Sequence, residues 1–205
     1  MKLVIAIDSF KGSLSSVKAG NAVKEAALKA FDTPLVTVCP LADGGEGTVE
    51  ALCEGLGGRT VKVDVTGPLY TPVEAEYCIL PDGKTAIMEM ASAAGITLVP
   101  NNMRDPLNTT TYGVGEMIRD AVSRGCREFI IGIGGSATND GGTGMLRALG
   151  FEFFKKNGQP MGMGAKGLKE LHSISTENAM PELSKCSFRI ACDVTNPLCG
   201  KYGCS

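Results

Sequence analysis

Four short segments hold the residue types and spacings best suited to chemistry. The first, DSFKGS (8–13), lies between an apolar run and a helical pattern. Lys11 in that turn can balance a phosphate or a substrate carboxylate, with Asp8 and Ser13 close by. The competing reading is a solvated lysine and a helix-capping aspartate. The second, ADGGEGT (42–48), sets Asp43 and Glu46 three residues apart around two glycines. Two such carboxylates can hold Mg²⁺, directly or through water. Equally, Asp43 can cap the next helix, with Glu46 completing a capping box. The third, GIGGSATNDGGTG (132–144), is the most informative, with six glycines among Ser136, Thr138, Asn139 and Asp140. Glycines let the main chain approach phosphates, which hydroxyl and amide groups then orient. The fourth, CDVTNP (192–197), offers Asp193 as a general base or metal ligand, or as a turn residue before Asn196-Pro197.

Each segment follows an apolar run that reads as a buried strand. In open α/β sheets ligands bind beyond the carboxyl ends of strands, where helix N-termini offer amides to anions. The strands read at 3–7, 34–39, 60–65, 127–133, 151–154 and 187–192, and the amphipathic helices at 14–31 and 48–56. TTTYGVGEMIRDAVSRG (109–125) reads as a helix with a threonine cap and a glycine stop. A short helix after the third segment runs to Leu149. Pro81-Asp82-Gly83 separates EAEYCIL from KTAIMEM, a hairpin signal that interrupts the β-α-β rhythm. The expected fold is α/β: an open, mostly parallel Rossmann-like sheet with a second, smaller α/β domain containing the hairpin. The first domain is expected to take 1–65 plus 105–150 and the second 66–104 plus 151–205. The glycine- and proline-containing tail after the last strand reads as a chain continued elsewhere.

Composition narrows the function classes. The 205 residues are 43% apolar and 20% charged with a net charge of −2, which gives no broad attraction to nucleic acid or an anionic membrane. An anionic ligand must therefore be held by local groups. The eight cysteines form no C-x-x-C pair, and several sit in apolar runs. They read as free thiols in a reducing cytosol. His172 is the single histidine, and no zinc spacing is visible. The amino-terminal apolar run is too short for a signal-peptide core, and no stretch approaches membrane-spanning length. The expectation is a cytoplasmic protein, with a homo-oligomer left open. The single Gly-Lys-Thr, at 83–85, fails as a Walker A loop because position 78 is Cys78. Gly132-Ile133-Gly134-Gly135-Ser136-Ala137 matches G-x-G-x-x-A, with Glu152 at the spacing of a ribose-binding acid. An NAD(P)-binding oxidoreductase is therefore the alternative, together with a non-catalytic fragment.

Seven segments in order, DSFKGS, ADGGEGT, VTGP (65–68), MEMA (88–91), TYGVGE (111–116), GGSATNDGG (134–142) and CDVTNPL (192–198), resemble the characteristic segments of bacterial-type glycerate kinases. The resemblance spans essentially the whole chain, though members of that family are much longer. It implies a two-domain α/β kinase that uses ATP and a divalent metal, Mg²⁺, to convert D-glycerate to 2- or 3-phosphoglycerate. On this basis Lys11, Asp8 and Asp193 are the expected catalytic groups. Ser9, Ser13, Gly134, Gly135, Ser136, Thr138, Asn139, Asp140 and Asn196 are expected at substrate or phosphate, and Asp43 and Glu46 at the metal.

Overall fold

The computed structural model describes residues 1–10, 13–41, 47–192, 195–197, 200–201 and 203. The chain opens with a β-α-β unit. Strands β1 (Lys2–Ile7) and β2 (Leu35–Pro40) pair in parallel from Lys2↔Leu35 to Ile7↔Pro40, and helix α1 (Ser16–Ala30) crosses between them. Ser15 caps α1, its hydroxyl accepting from the Lys18 amide at 3.4 Å. Helix α2 (Thr48–Gly55) follows. It packs against β2 and α1 on one side and against the central sheet on the other.

That sheet has the order β3-β4-β5-β6-β9. Strands β3 (Arg59–Thr66) and β4 (Pro72–Ile79) form an antiparallel hairpin, and β4 pairs antiparallel with β5 (Thr85–Glu89). The expected turn at 81–83 is present. Asp82 accepts from the Thr85 hydroxyl at 2.6 Å and from the Lys84 and Thr85 amides, contacts that hold its carboxyl below the usual carboxylate range. From β5 onward the sheet is parallel, through β6 (Glu128–Gly132) to the edge strand β9 (Ser187–Ala191). The mixed α/β class is as the sequence implies. The sheet draws β3 and β6 from the segments assigned to one domain and β4, β5 and β9 from those assigned to the other.

Alternation along the strands divides the core. Tyr77, Ala86, Met88 and Phe129 face helices α3 (Ala91–Ala94) and α4 (Tyr112–Ser123), where Met117 and Ile118 meet them. Cys78 and Ile87 face the other way, onto Val49 and Cys53 of α2. β5 is thus covered on both faces, which explains its unbroken apolar run. The Tyr77 hydroxyl donates to Asp120 at 2.6 Å, and Asp120 also takes Arg124 at 2.7 Å. Helix α5 (Thr143–Ala148) lies close on α4, an approach that requires Gly115, where a Cβ would collide with the Met145 carbonyl. Beyond α5, β7 (Glu152–Phe154) pairs antiparallel with a strand not anticipated from sequence, β8 (Ser173–Ser175). Its three residues are too few to show a period. Between them lies helix α6 (Gly164–Gly167).

Three expectations need correction. Cys53 and Cys78 are joined in a disulfide rather than free. The face of α2 that meets β4 carries one sulfur and the strand carries the other. Gly58 leaves them room, since a Cβ there would strike Cys78 Sγ. The start of α4 is threonine-bound, but through Thr110, whose hydroxyl accepts the Tyr112 amide at 3.1 Å; Thr111 at the cap position makes no such bond, and its hydroxyl donates to Asp140 and accepts from the Met145 amide at 2.9 Å. Finally, Glu152 stands on the β7–β8 pair and accepts from Asn178 at 3.0 Å, and Ala137 is a buried loop residue ahead of α5. The strand-turn-helix setting of a dinucleotide fingerprint is therefore missing. Among the described residues no helix is long and apolar enough to cross a membrane.

Candidate active site

The carboxyl ends of β5 and β6 meet the first turn of α2 around a cavity of about 440 Å³ with a mixed polar and apolar lining. Gly47, Val49 and Glu50 come from α2 and its approach, Glu89 from the end of β5, Ser92 from α3, Glu76 from β4, and Gly134 and Gly135 from the loop after β6. The Glu89 carboxylate accepts from the Val49 amide at 2.8 Å. Ser15 donates to Glu50 at 3.2 Å and so joins the starts of α1 and α2. Among the described residues the amides of Gly134 and Gly135 have no acceptor. Paired main-chain amides without partners on a cavity wall can receive an anionic oxygen.

The rest of the same loop turns the other way. Ser136, Thr138, Asn139 and Asp140 border an apolar groove of about 700 Å³ between α4, α5 and β9, lined by Val114, Ile131, Leu149 and Phe188. Most side chains there are engaged within the loop. Ser136 donates to the Thr138 carbonyl at 3.0 Å, and the Thr138 hydroxyl donates to the Thr109 carbonyl at 3.0 Å while accepting the Asp140 amide. Asp140 is 1% exposed. Its carboxylate accepts from the amides of Thr111, Gly142 and Gly144 and from the Thr111 hydroxyl, all within 3.1 Å. It organises the start of α5, where negative charge is favoured. Nearby, the Arg147 guanidinium lies 5.4 Å from the centre of the Phe153 ring and donates to the Met161 carbonyl at 2.7 Å. Burial lowers its pKa, against the opposing pull of Tyr70 and Asp140.

The sequence-derived candidates thus divide. Gly134 and Gly135 line the 440 Å³ cavity, while Ser136, Thr138 and Asp140 stabilise the loop that carries them. Asn139 is exposed at the rim of the groove. Asp8 and Ser9 occupy the turn after β1, where the Ser9 amide donates to Asp8 at 2.7 Å, and they line neither cavity. Ser13 and Asn196 are exposed. Lys11, Asp43, Glu46 and Asp193 lie outside the described residues. Glu89, Glu50, Glu76 and Ser92 are cavity residues that sequence reasoning did not single out. Only Glu89 carried a signal: a charged residue in an apolar strand, inside the MEMA segment.

Comparison with known proteins settles the family. The glycerate kinase family model matches residues 3–205. The chain belongs to the glycerate kinase family. A glycerate 2-kinase from Escherichia coli K12 is 48% identical over 205 residues, which are 100% of this chain and 54% of that protein. A glycerate kinase from Haemophilus influenzae is 45% identical over the same coverage of both chains. A crystal structure described as that of a glycerate kinase 2 from Salmonella typhimurium LT2 superposes with a TM-score of 0.91 at 48% identity, covering 99% of this chain and 55% of that one. The chain therefore spans about half the length of the glycerate kinases it matches.

Proposed function

We propose that the protein transfers the γ-phosphoryl group of ATP to D-glycerate, with the cavity between α2 and the Gly134-Gly135 turn as its anion seat. The observation that carries this reading is the pair of unpartnered amides at Gly134 and Gly135, two residues that line the cavity, in a chain of this family. Of the two hydroxyls of glycerate, the 2-hydroxyl is favoured by the printed name of the Escherichia coli relative. The phosphoryl group leaves the β-phosphate oxygen of ADP and bonds to the glycerate oxygen as that hydroxyl loses its proton. Such transfer depends on positioning and charge neutralisation. Gly134 and Gly135 would hold an anionic oxygen, and Lys11 would neutralise developing charge. Asp8 or Asp193 would orient the attacking hydroxyl and take its proton. Ser136, Thr138 and Asp140 would keep the loop in shape. Among the described residues no group of three His, Cys, Asp or Glu side chains could hold a metal. Asp43 and Glu46 stay the proposed contacts for Mg²⁺, which supplies positive charge at the nucleotide phosphates. A cytoplasmic location is part of the proposal and rests on the family alone, since the Cys53–Cys78 disulfide lends it no support. So is a two-domain organisation, with bounds other than the expected 1–65 plus 105–150 and 66–104 plus 151–205: the separate β1–β2 sheet supports a division between the first β-α-β unit and the five-stranded sheet.

The test is D-glycerate-dependent ADP release from Mg-ATP, measured on the 205-residue chain and on the complete gene product. Release that depends on glycerate, and is lost in Lys11→Met with the fold intact, is the expected result. No release from either folded protein would overturn the reading.

A further inference from the structure

We infer that Glu89 is a positioning residue of this site, holding the first turn of α2 against the wall formed by Gly134 and Gly135; the inference rests on the kinase reading above. The four residues before it in β5 are all buried, and the strand ends on this carboxylate at the edge of the cavity. A helix starts with amides that have no acceptor within the helix. The residue before α2 is Gly47, which offers no side-chain cap. The acceptor comes instead from 40 residues along the chain, where Glu89 takes the Val49 amide at 2.8 Å. A carboxylate also suits the positive end of a helix dipole.

The placement of this bond gives it a role beyond stability. Val49, Glu89, Gly47, Gly134 and Gly135 all line one cavity. The Met90 amide, next to Glu89, donates to the Gly132 carbonyl at 2.8 Å, so the ends of β5 and β6 are tied side by side. The contact therefore sets the distance between the helix start on one side of the cavity and the glycine turn on the other. α2 also packs on β2 and α1, so the same contact orients the first β-α-β unit relative to the central sheet. A glutamine at 89 keeps an acceptor oxygen at the same reach. An alanine removes it, and an aspartate withdraws it by one methylene.

The experiment combines amide hydrogen exchange at Val49 with steady-state kinetics, in the complete gene product carrying Glu89→Gln, Glu89→Asp or Glu89→Ala. In the alanine variant the Val49 amide should exchange at least tenfold faster, and kcat/KM for D-glycerate should fall by about 10- to 100-fold. The unfolding midpoint should fall as for the loss of one helix cap, and the kinetic loss should persist at temperatures where the variant is fully folded. Glutamine should restore both readouts and aspartate neither. Unchanged exchange at Val49, or unchanged kcat/KM in the alanine variant, would overturn the inference. So would a glutamine variant as impaired as alanine, because the charge would then be acting on the ligand itself. An unsubstituted protein with no glycerate-dependent ADP release would overturn the kinase reading, a result separable from the exchange measurements.

Discussion

Asp140 shows how a residue chosen for ligand chemistry can serve the fold instead. Its carboxylate is buried and meets three main-chain amides and one hydroxyl. Asp140→Asn would turn an amide NH₂ toward donors, leaving buried amides unmatched. We expect it to destabilise the protein by about 1–3 kcal/mol, read from the urea midpoint. Asn139→Ala, one residue away and exposed, should change stability by less than about 0.5 kcal/mol. An unaffected midpoint for Asp140→Asn would contradict the hub role. The sequence offered four polar residues in this loop as equals. What separates Gly134 and Gly135 from Asp140 is the direction each faces, which depends on Thr109 and Thr111, some thirty residues earlier. No local pattern carries that information. Glu89 is the opposite case, because an acid closing a buried strand was visible in the sequence.

Helix α2 is the element on which the architecture turns, and its attachments are long-range. Its apolar spacing and the glycines after it made the helix itself legible, as were the hairpin at 81–83 and the strand before the glycine-rich loop. Its partners were not, because pairing across the sheet depends on crossovers that no window of sequence records. The Cys53–Cys78 disulfide is the clearest example: the residues are 25 apart, on a helix and a strand that face each other only in the folded chain. Closing a loop of that length restricts the unfolded state, and the bond should contribute about 3 kcal/mol. Urea unfolding with and without a thiol reductant measures it. A midpoint that drops on reduction, and a Cys53→Ala/Cys78→Ala protein insensitive to reductant, are the expected results. A midpoint indifferent to reductant in the unsubstituted protein would show two thiols.

At the scale of the molecule, the exposed apolar surface is unevenly placed. Edge strand β9 leaves Phe188 43% and Ile190 54% exposed, and Val4 and Leu35 on the β1–β2 pair are more exposed still. Parallel strands are ordinarily covered on both faces, and apolar edges invite association. The 205-residue chain should therefore self-associate at micromolar concentration, and Ile190→Lys should reduce that association without lowering the unfolding midpoint. Light scattering against concentration decides it, and a monodisperse unsubstituted chain would refute the expectation. The loop after β6 has a consequence of a different kind. Its hydroxyls and its carboxylate are engaged with one another and with the threonines ahead of α4, while two glycines with unpartnered amides line the cavity. Main-chain groups survive the replacement of side chains, but they move when the chain between them changes length. Inheritance should thus tolerate a spelling change at exposed Asn139 but neither one at the Asp140 hub nor a letter gained or lost.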